Sequence, residues 1–302
     1  MQNEELKKQF LLRDRLINVI SKDGFLRVSF IKNTNTAIEA QKRHELDYAA
    51  GTYLAQLLAG TSMMSAFLKG EERVSIDINS KGYIKKMYSE ASQVGEIRGY
   101  ASVDLTKNIE DIKSLNDIMS DGFLSVTRIL YNQNEPTKGI VELQEGNIAL
   151  NLTAYFNKSE QIPSLMLLDT KTNDDGIIMQ SGGILIQALP GAEPMAVYKL
   201  YDFIKANKKI IDLFEKELTL NEIIDIYIPF EYDIIKTRQI DYFCRCSKDK
   251  FIEHIKNLDI NEIKDMQKMG QNELICHYCN NHYYIETEDF EKIIFEKQAS
   301  LN

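Results

Sequence analysis

The sequence predicts an α+β protein with three parts: a mixed sheet-and-helix N-terminal domain (residues 1–191), an amphipathic helical linker (192–240) and a small C-terminal module (241–302). Three observations predict this organisation. Apolar residues recur at helical spacing early in the chain, alternate along short strands in its middle, and return to helical spacing after residue 193. All four cysteines lie in the last part. At 302 residues, the chain is long enough for one main domain with smaller appendages.

The N-terminal domain is predicted to open with a mixed segment, residues 1–35, in which LRVSF alternates like a strand. Residues 36–68 have the spacing of two closely packed helices or of one broken helix. GNIALNLTAYFNKSEQ is predicted to be a helix. Further strands are predicted at ERVSIDINSKGYIKKMYSE, GEIRGYASV, KGIVEL, PSLMLLDT and GIIMQSGGILIQALPG.

The linker is predicted to be helical over residues 193–230, with apolar side chains recurring along one stripe. Thr219 and Glu222 have the spacing of a capping box and open a second amphipathic stretch. Residues 232–242 are expected to connect the linker to the cysteines. We expect the apolar stripe to lie on the sheet of the N-terminal domain, because an isolated stripe would remain exposed to water.

Charge and hydropathy limit the classes of function. A formal net charge of -9 argues against nucleic-acid binding, which requires a cationic face. No apolar run approaches the length of a membrane span, and Arg13, Asp14 and Arg15 interrupt the start, so we expect neither membrane insertion nor a secretory signal. The expected location is the cytoplasm, where paired cysteines more often indicate metal or redox chemistry than structural disulfides.

The cysteines form two pairs with metal-ligand spacing. Cys244 and Cys246 make a CxC pair, Cys276 and Cys279 make a CxxC pair, and the 29 residues 247–275 separate them. A CxxC turn can direct both sulfurs at one ion, and four thiolates are a complete ligand set for structural zinc. The sequence therefore predicts one zinc ion held by these four cysteines. The intervening segment has room for two short helices.

Other interpretations of the cysteines remain open at this point: structural zinc without a redox role, chance clustering, or a thioredoxin-like dithiol. The dithiol usually follows a strand early in a βαβ unit, and ICHYC does not. His254, His277 and His282 lie nearby in the sequence, either as further ligands or as groups outside the metal's ligand set.

Several segments together resemble the heat shock protein 33 family, also called the 33 kDa chaperonin family. They are LLAGTSMMSAFLKGEERVSI, GEIRGY, YFNKSEQIPS, GGILIQALPGA and the CxC and CxxC pairs, in that order along the chain. The resemblance covers most of the sequence. The cysteine spacing alone is moderately specific, whereas the ordered set is strongly specific.

The resemblance implies an ATP-independent chaperone of the holdase type, not an enzyme. It would be inactive when reduced and zinc-bound, and active after oxidation. It further implies that the four cysteines are the zinc ligands and that oxidation joins Cys244 to Cys246 and Cys276 to Cys279. The expected partners are unfolded client proteins and, in the active form, a second copy of the chain. No client-binding residue is carried over from the family.

Physical arguments agree with a switch. A module of this size has a small core, and structural zinc contributes an apparent ~10–16 kcal/mol at neutral pH, comparable with the ~5–15 kcal/mol stability of a typical domain. Disulfides between near neighbours close very small loops and cannot replace that contribution. Oxidation is therefore expected to loosen the module and, through it, the linker. The alternative is that the linker stripe is permanent core.

Two other classes of function fit the sequence less well. A zinc-ribbon nucleic-acid module would normally be basic, but residues 241–302 contain eight Lys and Arg against twelve Asp and Glu. A zinc enzyme needs an open coordination position, and four sulfur ligands close the tetrahedron.

Overall fold

The computed structural model describes residues 8–131, 135–144, 146–193 and 195–300, and the chain divides into two compact units, Met1–Phe243 and Cys244–Asn302. The fold is α+β, as predicted. Residues 1–7 of the predicted opening lie outside the described residues. The three-part domain division with boundaries at 191 and 240 stays a prediction.

The strands of the first unit are β1 (Arg15–Ser21), β2 (Leu26–Lys32), β3 (Arg73–Ser80), β4 (Ile84–Ser92), β5 (Glu96–Val103), β6 (Gly122–Ile129), β7 (Thr137–Glu142), β8 (Ser164–Thr172), β9 (Ile178–Ala188), β10 (Tyr232–Gln239) and β11 (Asp241–Tyr242). Its helices are α1 (Thr34–Arg43), α2 (Tyr48–Met64), α3 (Leu115–Ile118), α4 (Ile148–Tyr155), α5 (Ala196–Lys205), α6 (Ile210–Glu215) and α7 (Leu220–Tyr227). The strands predicted from alternation and the helix at GNIALNLTAY are present.

Two sheets organise the first unit. Sheet A is antiparallel with the order β10–β1–β2–β9–β8. Sheet B has the order β11–β5–β4–β3–β6–β7 and is antiparallel except for the parallel pair of β11 and β5. The segment 232–242, expected to be a connection, instead supplies the edge strands β10 and β11. The chain thus passes from one sheet to the other immediately before the cysteines.

Helix α2 forms the centre of the unit and is buried on nearly every side, as its small and apolar residues require. The Asp47 carboxylate caps its first turn by accepting hydrogen bonds from the amides of Ala49 and Ala50. At Gly60 an added Cβ would lie 2.2 Å from a methyl carbon of Leu152, so glycine is what lets α4 cross this closely. The region 36–68 therefore contains two helices rather than one broken helix.

Sheet A buries both faces, because alternate side chains point to opposite sides. On β1, Leu16 joins the core around α2, whereas Ile17 and Val19 join a second core beneath helices α5, α6 and α7. Phe214 of α6 packs at Gly182, where an added Cβ would lie 2.6 Å from the ring. The linker helices lie on the sheet as expected. The predicted capping box of Thr219 and Glu222 is present at α7.

The second unit is small. Its elements are α8 (Lys248–Ile255), α9 (Ile260–Lys268), β12 (Glu273–Ile275), β13 (His282–Tyr284) and α10 (Thr287–Ser300). The two helices predicted between the cysteine pairs are present, and α9 begins with a capping box of Asp259 and Glu262. Among the described residues, its aliphatic and aromatic core consists of Ile255, Ile263, Ile285, Phe290 and Ile293.

No helix in the described part of the chain combines the length and apolar character that crossing a membrane would require.

Candidate metal centre

The four cysteine sulfurs meet at one point in the second unit. All four Sγ atoms lie within 4.8 Å of one another. Cys244 Sγ lies 3.8 Å from Cys276 Sγ, and Cys246 Sγ lies 3.4 Å from Cys279 Sγ. Each near contact joins one member of the CxC pair to one member of the CxxC pair. The fold therefore interleaves the two pairs around a common centre.

A β-hairpin positions the CxxC pair. Strands β12 and β13 pair antiparallel, and the amide of Cys276 donates to the carbonyl of Asn281 at 2.8 Å, which closes the loop between them. The amide of Asn280 donates back to the carbonyl of Cys276 at 2.8 Å. Asn280 has φ +55°, a left-handed conformation that asparagine tolerates better than most residues. This tight turn brings the sulfurs of Cys276 and Cys279 to the same side.

The CxC pair directly precedes helix α8. The amide of Phe243 donates to the carbonyl of Ile97 at 2.9 Å, and Cys244 follows directly. Ser247 then caps α8 by accepting from the amide of Lys250. Cys244 and Cys246 therefore lie just before the capped first turn of α8.

The four sulfurs fit a zinc ion. Tetrahedral zinc with Zn–S bonds of about 2.3 Å separates its ligands by about 3.8 Å, close to the distances observed here. All four cysteines are free thiols, with Cys276 and Cys279 buried. Thiolate is the donor that zinc prefers for closed structural sites.

The surroundings of the cysteines shift their pKa values in different directions. Burial raises the pKa of Cys276 and of Cys279, and the pKa of Cys279 is raised further by its hydrogen bonds with Cys246 and Cys276. For Cys246, burial also acts to raise the pKa, but hydrogen bonds with Tyr283 and the other cysteines outweigh it, so the pKa is lowered. The surroundings therefore disfavour the thiolate forms of Cys276 and Cys279, and a divalent cation would reverse that balance.

Tyr283 belongs to the site although the sequence analysis did not identify it. Its hydroxyl lies 3.1 Å from Cys246 Sγ and 3.1 Å from the Cys246 carbonyl oxygen. Its ring packs on Phe251 of α8, with centroids 5.5 Å apart. The hydrogen bond with Cys246, together with burial, raises the pKa of Tyr283 to about 12. The sequence signal was its position on a strand four residues after Cys279, which is weak without a fold.

The histidines considered as further ligands lie outside the cluster. Among the described residues, the grouped metal-ligating atoms are those of the four cysteines. His282 Nδ1 pairs instead with Glu273 Oε1 at 2.8 Å. The ring of His277 contacts that of Tyr278 at 6.3 Å between centroids, and His254 lies on α8.

The chain is similar to proteins of one family over nearly its whole length. A model described as "Hsp33 protein" matches residues 14–286, which include all four cysteines. The 33 kDa chaperonin of Bacillus velezensis is 31% identical over 93% of this chain and 98% of that protein, and the one from Clostridium perfringens strain SM101 is 33% identical over 96% and 94%. A crystal structure of the 33 kDa chaperonin from Thermotoga maritima matches with a TM-score of 0.83 at 28% identity, over 95% of this chain and 99% of that one.

Proposed function

The chain belongs to the Hsp33 family of chaperonins, and from this premise we propose that it is a redox-regulated, ATP-independent holdase of the cytoplasm. In the proposed cycle the reduced, zinc-bound protein is inactive. Oxidation releases the metal, and the protein then binds unfolding clients and keeps them from aggregating. The observation that carries the proposal is the cluster of four cysteine sulfurs.

Cys244, Cys246, Cys276 and Cys279 are the proposed zinc ligands. Bound zinc keeps their sulfurs as thiolates, the form that oxidants attack. The exposure of the two pairs differs: Cys276 and Cys279 are buried, whereas Cys244 and Cys246 are partly exposed. We therefore expect oxidants to reach the CxC pair first.

The proposed oxidation is balanced with hydrogen peroxide as the oxidant. One thiolate attacks a peroxide oxygen, the O–O bond breaks, and a sulfenic acid and hydroxide form. The neighbouring thiolate attacks the sulfenic sulfur, which forms the disulfide and releases a second hydroxide. Formation of each disulfide thus transfers two electrons from the two thiolates to one peroxide. With the pairing implied by the family, Cys244–Cys246 and Cys276–Cys279, two peroxides are consumed.

Oxidation in this pairing would remove every metal ligand, and the new disulfides would add little stability to the second unit. A disulfide across one or two residues closes a very small loop and restricts the unfolded chain little. The small core of the second unit would then have to hold the fold alone. We expect the unit to unfold.

The linker helices are the proposed route to client binding. The core beneath them contains strand residues of sheet A, among them Val28, Phe30 and Ile186. The same helices already expose Tyr198, Phe203 and Ile226 on their outer side. Movement of the helices away from the sheet would join these into an apolar surface of the kind that non-native proteins bind. The active form is proposed to be a homodimer.

Light scattering of a heat-denatured client tests the proposal. The peroxide-treated protein is expected to suppress aggregation, and the reduced zinc-loaded protein is not. Restoring reductant and zinc should abolish the suppression. His277→Ala is a matched control, because this exposed residue lies between two ligands but outside the cluster. Equal suppression by both redox forms would contradict the switch, and none by either would contradict the chaperone.

Hydrogen exchange tests the linker route separately. Amides in α5, α6 and α7 should lose protection after oxidation, while those in α2 keep theirs. Unchanged protection across the linker helices would remove them from the mechanism and leave the redox switch itself standing.

A further inference from the structure

The hydroxyl group of Tyr283 contacts Cys246 at two atoms. It lies 3.1 Å from Cys246 Sγ and 3.1 Å from the carbonyl oxygen of the same residue. The side chain of Asn281 forms a further hydrogen bond with this hydroxyl. One cysteine of the cluster is thus in direct contact with a side-chain proton donor, and the redox switch proposed above gives that donor no role.

Two further contacts hold the tyrosine in place. Tyr283 lies on β13, where it is the antiparallel partner of Leu274 on β12. Its ring packs on that of Phe251 of α8, with centroids 5.5 Å apart. A side chain that is already ordered loses little further rotamer freedom when it makes a hydrogen bond. The strand pairing and the ring contact therefore position the hydroxyl at Cys246.

The direction of the hydrogen bond depends on the protonation of Cys246. A neutral thiol can donate its proton to the tyrosine oxygen, while the hydroxyl donates to the carbonyl. A thiolate has no proton to donate, so the hydroxyl has to be the donor between these two groups. Zinc is bound by thiolates, and hydrogen bonds to an ionised acceptor are stronger than those to a neutral one. In the zinc-loaded protein we therefore expect the hydroxyl to donate to the sulfur.

A hydrogen bond of this kind changes the reactivity of the sulfur. The donor draws electron density from the thiolate, and the nucleophilicity of thiolates falls with their basicity, with a Brønsted slope of about 0.4–0.5. While zinc is bound, the sulfur is a thiolate with or without the hydroxyl, so the hydrogen bond cannot act by raising the thiolate fraction. Its remaining effect is to make the sulfur a weaker nucleophile. Groups around metal ligands commonly tune those ligands in this way.

We propose that Tyr283 donates a hydrogen bond to the zinc-bound thiolate of Cys246 and thereby slows the reaction of this sulfur with oxidants. Tyr283 is a positioning residue in this proposal, because it acts through Cys246. The inference rests on the proposed redox switch and adds a threshold to it. A low level of oxidant would leave Cys246 on the metal, and loss of the hydroxyl would let zinc leave at a lower peroxide concentration.

Alkylation of the zinc-loaded full-length protein, limited to one modification per chain, measures the reactivity of each sulfur. Iodoacetamide modifies a thiolate without joining it to a second cysteine, and peptide mass spectrometry gives the rate at each of the four positions. Tyr283→Phe keeps the ring that packs on Phe251. In this variant the rate at Cys246 should rise about threefold, and the rates at the other three cysteines should not change.

Two results of this measurement would overturn the proposal. The first is an unchanged rate at Cys246. The second is an equal rise at all four cysteines, because that pattern reports a loosened second unit and not the loss of one hydrogen bond.

Tyr284→Phe is the matched control. Tyr284 follows Tyr283 on β13, is 53% exposed, and donates its hydroxyl to Glu273 Oε1 at 3.0 Å. The control variant therefore loses the same oxygen atom from the same strand. Its rate of alkylation at Cys246 should equal that of the unaltered protein. An equal rise in both variants would overturn the assignment to Tyr283.

Cobalt substitution gives a second readout, which depends neither on chaperone activity nor on alkylation. Co²⁺ bound by thiolates has sulfur-to-cobalt charge-transfer bands, and a sulfur that loses a hydrogen bond donates charge at lower energy. Tyr283→Phe should therefore shift such a band to longer wavelength, and Tyr284→Phe should not. Identical spectra of the unaltered protein and Tyr283→Phe would overturn the hydrogen bond to the bound thiolate.

The two readouts also separate this inference from the proposed function. Absence of charge-transfer bands in the unaltered protein would contradict the four-cysteine metal site and this inference with it. A chaperone assay without any suppression of aggregation, combined with the expected alkylation rates and spectra, would contradict the proposed function and support the role of Tyr283.

Discussion

The two units of this protein bury apolar side chains on different scales. In the first unit, helix α2 lies between two sheets, and a second core fills the space between sheet A and the linker helices. In the second unit, five buried side chains form the core beside the cysteine cluster. From this difference we expect the first unit to have enough buried apolar surface to fold by itself, and the second to depend on a metal bound by its sulfurs.

A similar contrast exists within the first unit. Helix α2 is covered on nearly every side, whereas α5, α6 and α7 are short and cover sheet A with one face only. Local opening costs least where few apolar contacts hold an element. The linker helices are therefore the part of the first unit best suited to leave it.

Removal of the metal should give the largest effect. It tests whether the second unit depends on the metal while the first does not. Structural zinc contributes an apparent ~10–16 kcal/mol, more than the second unit's small core can replace. Chelation of the reduced protein is expected to collapse the NMR dispersion of residues 244–300 while signals of α2 persist. Zinc addition should restore the spectrum. Retained dispersion in the second unit after complete chelation would contradict its dependence on the metal.

The same core truncation made in each unit tests whether the two units differ in their margin of stability. Ile263 and Ile76 are both fully buried, and truncation of either to alanine should cost about 2–5 kcal/mol. In the second unit this loss is a large share of the free energy of unfolding. Ile263→Ala should therefore lower zinc affinity and let the reduced protein suppress aggregation. Ile76→Ala should lower the melting temperature and stay inactive when reduced. Similar behaviour of the two variants would show that the units are not energetically distinct.

Capping boxes allow a smaller paired test. Thr219→Ala at α7 and Asp259→Ala at α9 should each cost about 1 kcal/mol, because each leaves helix amides without an acceptor. Thr219→Ala should raise hydrogen exchange in the linker without changing zinc affinity. Asp259→Ala should act on the second unit and weaken zinc binding. If Thr219→Ala raised hydrogen exchange only outside the linker, the expected local effect of this cap would be contradicted.

The smallest expected effect is a pH dependence of the linker. Burial raises the pKa of Asp169 on β8 above 3.8, Lys209 of the linker opposes the shift, and Asp212 adds to it. The folded state therefore binds this proton more tightly than the unfolded state. Stability falls as pH rises from 3.8 through the raised pKa, and the contribution is fully lost above it.

Asp169→Asn should flatten this dependence in hydrogen exchange of α6. The exposed Asp202 on α5 provides the control, since Asp202→Asn should leave the slope unchanged. An unaltered slope in Asp169→Asn would assign the pH dependence to another group.

The sequence predicted the structural features that depend on residues close together in the chain. The two helices between the cysteine pairs, the capping box of Thr219 and Glu222, and the turn of Cys276 and Cys279 follow from neighbouring residues. The family similarity confirmed the interpretation of the ordered motifs. The candidate ligands were identified by spacing alone, and the structure brings all four together.

The sequence did not predict contacts between residues that lie far apart in the chain. Residues 232–242 were expected to be a connection, but residues 232–239 form strand β10, whose partner β1 lies more than two hundred residues away in the chain. Tyr283 reaches Cys246 only because the hairpin turns back on the CxC pair.

The position of β10 in sheet A has a consequence for biosynthesis. Strand β1, among the first to leave the ribosome, lies between β2 and β10, and β10 is made only after the linker helices. Until residue 239 has emerged, one edge of β1 has no strand to pair with, and such edges recruit other chains. We therefore expect the nascent chain to expose an unpaired strand edge until β10 has been synthesised.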